Sequence, residues 1–504
     1  MKSAWRPAIV SRVYRRHLAA VAVALAWSIP VYAAGDLRVI EAVKSRRTDT
    51  VRALLTQHVD VNTTQADGAT ALHWAAHFDD LGTADTLIRA GARVSAADDT
   101  GVTPLYLACT NRSRAMVEKL LSAGANPNAV LTNGETALMT CARTGEAGAV
   151  RALLAQGADV NAKEPSHDQT ALMWAAAEKH SAVVAALLEH RADVRARSRV
   201  YTQTVTSEVT QRAGREALNY AVPRGGSTPL LFAARSGDVE SARLLLAAGA
   251  AVDDALPTGM TALVEAAHSG HQAVGILLLE KGADPNAAKV GYTALHAAVL
   301  TSSLDLVNAL LAHHANPNAQ LTEGTPVRRN SEDFELPATL IGATPYLLAA
   351  KFLEPDAMRT LAAAGADTRL PMKTGESPLM AAAGVGTNAV LDRRGVSLLD
   401  GGRVEPESRV LETVAAAIAL GGDVNAVNEA GDTALHGAAL LGYDRVIQLL
   451  VDSGAQPSVR NKRGQSPLTL AAAKKNEAAR APDRSARTAQ QSTADLLIKL
   501  GAVE

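Results

Sequence analysis

A 33-residue period constrains this chain more than any other feature of its sequence. Aligned on the Thr or Ser that opens each copy, the repeats start at Thr70, Thr103, Thr136, Thr170, Thr228, Thr261, Thr293, Thr344, Ser377, Thr433 and Ser466. Successive starts lie 33, 33, 34, 58, 33, 32, 51, 33, 56 and 33 residues apart. A segment of that length holds one small supersecondary unit, which cannot bury both of its faces, so each copy must be covered by its neighbours. Residues 101–129 show what one copy encodes. Thr103 can cap a helix, and Pro104 fits its first position, where a missing N–H costs little. Leu105, Ala108 and Cys109 then share one helical face; after a break at residues 111–113, Val117, Leu120 and Leu121 share another. Gly124 supplies the left-handed residue that ends the second helix, and Pro127 keeps it from resuming. The pattern predicts two short antiparallel helices per copy.

The same text recurs throughout. Leu fills the third slot of all eleven copies except at Tyr346, and Ala pairs follow. The second helix carries its own signature, LLxxGAxxN, as at residues 278–286. With TALHWAA at residues 70–76 and TALHAA at 293–298, the chain resembles the ankyrin repeat family over residues 36–504. The resemblance implies an all-α repeat solenoid: an array of about twelve L-shaped helix–turn–helix units, with hairpin-like fingers projecting toward a concave side. Residues 36–62 read as a first unit with an eroded opening, and residues 98–101 as a finger turn.

Four insertions interrupt the array. Residues 197–226 and 321–341 lengthen fingers, whereas 386–408 and 476–491 separate the two helices of a unit. In the first, Tyr201, Val205 and Val209 alternate with Thr202, Thr204, Thr206 and Thr210, a two-residue period suited to a strand. The last, rich in Ala and Arg with Pro482, reads as a mobile loop. The helix-ending glycine is replaced by His58, Arg191 and His314. A left-handed conformation costs a non-glycine residue roughly 1–2 kcal/mol. The helix exits before the two long fingers are therefore expected to be rebuilt, with ordinary drift between copies as the alternative.

Apolar residues make up 47% of the chain and aromatics only 3%, which makes the interior one of Ala and Leu. Fifty basic against 51 acidic residues argue against a phosphate-binding surface, so no nucleic-acid partner is expected. Residues 1–33 read as a secretory signal peptide: Arg12, Arg15 and Arg16 precede an apolar run over 18–29, and Val31, Tyr32 and Ala33 end in a small residue. Cleavage after Ala33 leaves an array over 34–504 in the periplasm or outside the cell, with no stable membrane insertion. An uncleaved signal tethering the chain to a membrane is the alternative, disfavoured by the short run and by Ser28 and Pro30. Cys109 and Cys141 sit on corresponding helices of adjacent copies. Helices packed about 8–10 Å apart place them beyond relaxed disulfide reach, so two buried free thiols are expected.

Catalytic signatures are absent from the sequence: it has no Gly-x-Ser-x-Gly elbow, no His-Glu-x-x-His, no phosphate loop and no haem attachment motif. Gly384, Gly386 and Ala389 form a partial dinucleotide fingerprint, but after a helix rather than a strand. No cofactor and no metal are assigned. His73, His296 and His436 share the fourth slot of the opening, where the resemblance implies a bond between neighbouring fingers. His268 and His271 are too few ligands for a stable zinc site, and His313 and His314 diverge on a helix.

What remains is the concave surface. The resemblance implies that partners are read by the exposed ends of the first helices and by the fingers. The helix-end slots hold His77 and Phe78, Thr110 and Asn111, Arg143 and Thr144, Ala177 and Glu178, Arg235 and Ser236, His268 and Ser269, and Lys351 and Phe352. Finger residues include Asp99, His167, Met260 and Tyr292, while Trp74 and Trp174 read as packing. Mixed polar, charged and aromatic side chains suit a protein interface. The expected function is non-catalytic protein recognition; an enzyme or ligand carrier with a site built from the insertions is the alternative. Seven Arg against three acids over 191–224, and two Arg against four acids over 321–341, further suggest oppositely charged walls around the groove.

Overall fold

The computed structural model describes residues 36–206, 219–324, 336, 338–385, 406–478 and 493–503. The signal-peptide reading, the alternation at Val209 and Thr210, the charges of the acidic wall apart from Glu323, and the greater part of the last two insertions lie outside these residues. Among the described residues the chain forms twelve helix pairs, from Arg38–Lys44 with Thr48–Thr56 to Pro467–Ala478 with residues 493–499. First helices pack on first helices and second on second, giving two layers.

Local chemistry sets each pair. In the unit of Gly101, the Thr103 hydroxyl accepts the Tyr106 N–H at 3.2 Å and Pro104 starts the helix Pro104–Thr110. Ser113 repeats the device, accepting from the Met116 N–H at 3.2 Å, to start Arg114–Ser122. Gly124 ends that helix at φ 89°, its N–H donating to the Leu121 carbonyl and that of Ala125 to Leu120. Two otherwise orphaned carbonyls are thereby satisfied.

The exits at His58, Arg191 and His314 are not rebuilt. All three adopt the glycine conformation, with φ of 57°, 63° and 65°. Arg191 and Ala192 make the same pair of bonds, to Leu188 and Leu187, and His314 and Ala315 bond Leu311 and Leu310. The carbonyls of Arg191 and His314 are also gripped by the amides of Asn161 and Asn286 from the preceding unit. These bonds outweigh the steric cost.

Those asparagines belong to a ladder that the signature LLxxGAxxN encodes. Asn128 donates to the Gly157 carbonyl at 2.9 Å and accepts the Asp159 N–H at 2.8 Å. Asn62, Asn161, Asn286, Asn318 and Asn425 do the same across their own unit boundaries. The third-slot leucines are all buried: Leu72, Leu105, Leu138, Leu172, Leu230, Leu263 and Leu295 are at most 1% exposed, and Leu468 is 4% exposed.

Cys109 and Cys141 form a disulfide, with Cα atoms 4.7 Å apart. The expectation of free thiols fails because the helix spacing is measured between axes. Subtracting two Cα radii of about 2.3 Å from about 8–10 Å leaves facing residues about 3.4–5.4 Å apart, a span that overlaps disulfide range. Ala108, Ala137 and Ala142 on the same two helices are buried.

Fingers stack through their backbones. The Asp99 N–H donates to Asp67 O at 2.9 Å and the Thr132 N–H to Thr100 O at 3.0 Å. At Gly101, φ is 84° and a Cβ would lie 2.8 Å from the Leu131 Cα, so a side chain there would push adjacent fingers away from each other. The first enlarged finger carries strands β1 (Tyr201–Thr206) and β2 (Asn219–Arg224), antiparallel with Tyr201 opposite Arg224. Its root is tied by Ser198 N–H to Ser227 O at 3.0 Å, and the Arg199 N–H bonds the His167 carbonyl of the preceding finger. The second is anchored by buried Leu336 and Leu340 and by the Leu321 N–H to Ala343 O bond. The third insertion is shorter than expected, since Glu407 and Ser408 already belong to the helix Glu407–Ala419. Likewise the helix Pro467–Ala478 takes in the start of the fourth.

Candidate functional site

The expected recognition slots fall on the C-terminal ends of the first helices and on the adjoining fingers, where the local fold fixes most of the side chains. In the second unit, His77, Phe78 and Trp74 form an aromatic group at one end of the helix Ala71–His77. Ring centroids lie 5.7 Å apart for Trp74 and His77, 5.8 Å for Trp74 and Phe78, and 5.1 Å for His77 and Phe78. The Trp74 indole N–H donates to Gln65 at 2.6 Å.

Further along, Arg143 bonds Glu135 at 3.2 Å and lies over the Trp174 ring at 5.4 Å, while Trp174 donates to Gln169 at 2.8 Å. Thr140 completes the group by donating to Glu135 at 2.7 Å. Arg235 bonds buried Glu265 at 2.5 Å. Beside that carboxylate, the guanidinium is held above its ordinary range by the Glu265 charge. Glu178 is exposed; Lys351 and Phe352 are half-buried. Met260 is half-buried on its finger, and Asp99 is exposed. Exposed His167 packs edge-on against Tyr201 at the base of the hairpin, at 5.7 Å.

Two of the expected recognition residues are engaged within the array. Tyr292 is 1% exposed, with its hydroxyl 3.4 Å from the His268 ring. Burial pushes its ionisation up, and it offers no face to a partner. Asn111 spends its amide on the carbonyls of Ala76 and His77, at 2.9 and 2.8 Å, capping the helix of the preceding unit.

The three fourth-slot histidines occupy the expected bridging positions. His73 accepts at Nδ1 from the Thr70 N–H at 3.1 Å, and its Nε2–H donates to the Val102 carbonyl at 2.9 Å. His296 and His436 repeat this, reaching Ala343 O at 3.3 Å and Gln465 O at 3.1 Å. A carbonyl can only accept, so Nε2 carries the proton and Nδ1 is free to accept. Burial lowers the pKa of each ring, that of His296 to about 4. His268 and His271 are engaged separately, His271 with the Arg235 carbonyl at 3.0 Å. Among the described residues, no three His, Cys, Asp or Glu side chains are grouped to hold a metal.

The basic wall is partly neutralised within the chain. Arg197 pairs with Asp254, and Arg199 with Asp168 at 3.0 Å, tying the long finger to its neighbours on both sides. One carboxylate stands apart. Glu376 occupies the position of Glu135, but the residues corresponding to its donors Thr140 and Arg143 are Ala381 and Gly384. Its Oε1 is buried without a hydrogen bond, and burial raises its pKa despite the nearby Lys351 charge.

Against known proteins, the family described as "Ankyrin repeats (3 copies)" matches residues 39–130, 115–198, 209–289, 230–321 and 407–481, well over half of the chain. The chain is 36% identical over 126 residues to the B-cell lymphoma 3 protein homolog of Mus musculus, covering 25% of this chain and 24% of that protein. It is 38% identical over 121 residues to an ankyrin repeat-containing protein of Treponema pallidum, covering 23% and 41%. With the neurogenic locus notch homolog protein 1 of Homo sapiens it shares 32% identity over 143 residues, covering 26% and 6%. The chain thus spans less than half the length of each of these relatives. Capped helix pairs on a 33-residue period, stacked fingers and these matches agree, and the chain belongs to the ankyrin repeat family.

Proposed function

We propose that this chain is a non-catalytic protein-recognition array, one continuous domain over residues 34–504, whose partner lies on the first-helix ends and fingers. The observation that carries the reading is the pre-ordering of that face. Arg143, Arg235 and His77 are exposed and Trp74 and Trp174 half-buried, yet all are held by rings, carboxylates or amides of the array itself. Side chains immobilised before binding lose little entropy on contact, and Trp and Arg dominate the energetics of protein interfaces. Export through the signal peptide to the periplasm or cell exterior is part of the same reading. The Cys109–Cys141 disulfide supports it, because such bonds persist in oxidising compartments.

Crosslinking in intact cells from a photoreactive residue at position 178 tests the proposal. A stoichiometric protein partner, lost in an Arg143→Ala/Arg235→Ala variant that keeps its helical circular dichroism, is expected. Turnover of a small molecule, or capture unchanged by those substitutions, would refute the concave-face reading. Fractionation tests export: a mature chain starting near residue 34 outside the cytoplasm is expected, and an intact N-terminus in the cytoplasm refutes it.

A further inference from the structure

Resting on the reading of this face as a protein-binding surface, we infer that its N-terminal end is a receptor for a carboxylate-bearing segment of the partner, with Arg46 as the anion-reading residue. The turn between the first two helices places Arg46 at φ 54° and sets its guanidinium over the Phe78 ring, 4.8 Å from the centroid. Lys44 lies over the neighbouring Trp74 ring at 5.2 Å. Phe78 and Trp74 are in turn packed on each other and on exposed His77. In a chain with only 3% aromatics, three aromatic or imidazole rings and two cations meet at one place.

A guanidinium stacked on a ring is held in one orientation while its N–H groups, which lie in the guanidinium plane, remain available at the edge. That edge is unspent in Arg46, which makes no ion pair among the described residues. The carboxylate that feels its charge is Asp80, and Asp80 already caps the next helix by accepting from the Thr83 N–H and hydroxyl at 2.9 and 2.6 Å. Lys44 shares its charge with exposed Glu41 at 3.0 Å. Two cations at the first-helix ends are matched from within. Arg143 and Arg235, on equivalent concave positions, are each satisfied by a carboxylate of the array itself, Glu135 and Glu265. Arg46 has the ring and lacks the carboxylate, so charge complementarity assigns the missing group to the partner: a planar, two-oxygen anion of an Asp or Glu side chain, seated at the edge of Arg46 with apolar neighbours against Phe78 and Trp74.

The test uses the full chain and two labelled peptides, acetylated and amidated decamers in which Glu alternates with Leu or Gln alternates with Leu. Fluorescence anisotropy at low salt should give about three- to tenfold tighter binding of the Glu peptide. The preference should fall as salt rises. Arg46→Gln should abolish the preference, and Arg46→Lys should restore little of it, since an ammonium lacks the fork. Phe78→Leu should weaken it by releasing the guanidinium. Arg52→Gln, which removes a cation away from the rings, should leave it intact. Equal binding of the two peptides, a preference that survives Arg46→Gln, or an equal loss in Arg52→Gln would overturn the inference. If cellular capture from position 178 succeeds while these peptides are not distinguished, only the Arg46 receptor falls. If they are distinguished while no cellular protein is captured, it is the broader recognition reading that falls.

Discussion

Acidification should unfasten the array at its finger histidines, and His296 allows the size of the effect to be worked out. This ring is fully buried, receives the Thr293 N–H at Nδ1 and donates from Nε2 to Ala343 across the second enlarged finger. Protonation would set an N–H against the N–H of Thr293 inside a dry contact, which is why burial lowers its pKa from 6.5 to about 4. Between those values the unfolded chain binds the proton and the folded chain does not, so stability falls as pH falls. The contribution is complete above the unfolded pKa. It declines by about 2 kcal/mol by pH 5 and about 3 kcal/mol by pH 4. His73 and His436, lowered by the same burial, act in the same direction. Urea unfolding of the full chain, with hydrogen exchange over residues 261–363 to localise the change, should be run at pH 7.5, 6 and 5 beside a His296→Gln variant. The variant is expected to be less stable at pH 7.5 and to lack this part of the acid slope, so the two curves converge by about 2 kcal/mol at pH 5. Parallel curves would refute the assignment of acid sensitivity to this ring.

Three further outcomes follow from the packing. Reduction, or Cys109→Ala/Cys141→Ala, should lower stability by about 3–4 kcal/mol for a loop of this length, with exchange rising first over residues 103–155. Leu263→Ala, in a fully buried slot, should cost about 2–5 kcal/mol by urea denaturation and loosen the flanking units before distant ones. Glu376→Gln should raise the unfolding midpoint at pH 7 and change it little near pH 4. The folded-state pKa of this carboxyl is raised, so its penalty exists only above the unfolded value, where burial opposes the charge.

Much of this molecule is written within single copies. The Thr cap, the proline at the first helical position, the Leu and Ala face and the terminal glycine all act over a few residues, so the sequence alone sets the helix pairs, their number and the identity of the core. The alternation at Tyr201 and Val205 likewise encodes a strand. The role of the fourth-slot histidines was legible by resemblance, and their spacing to the capping Thr is local.

What crosses from one copy to the next was decided by distances the sequence does not contain. Cys109 and Cys141 bond because the separation that matters is between helix surfaces, rather than between axes. Tyr292 turns inward to meet His268, although its place on a finger predicted exposure. Arg197 and Arg199 close on aspartates of neighbouring fingers. Residues 161 and 286 fix left-handed turns about 30 positions away, so that Arg191 and His314 stand where steric cost alone would demand glycine. Short-range stereochemistry is periodic and can be read from one unit; the pairing of side chains between units depends on ångström-scale separations that arise only when the stack assembles.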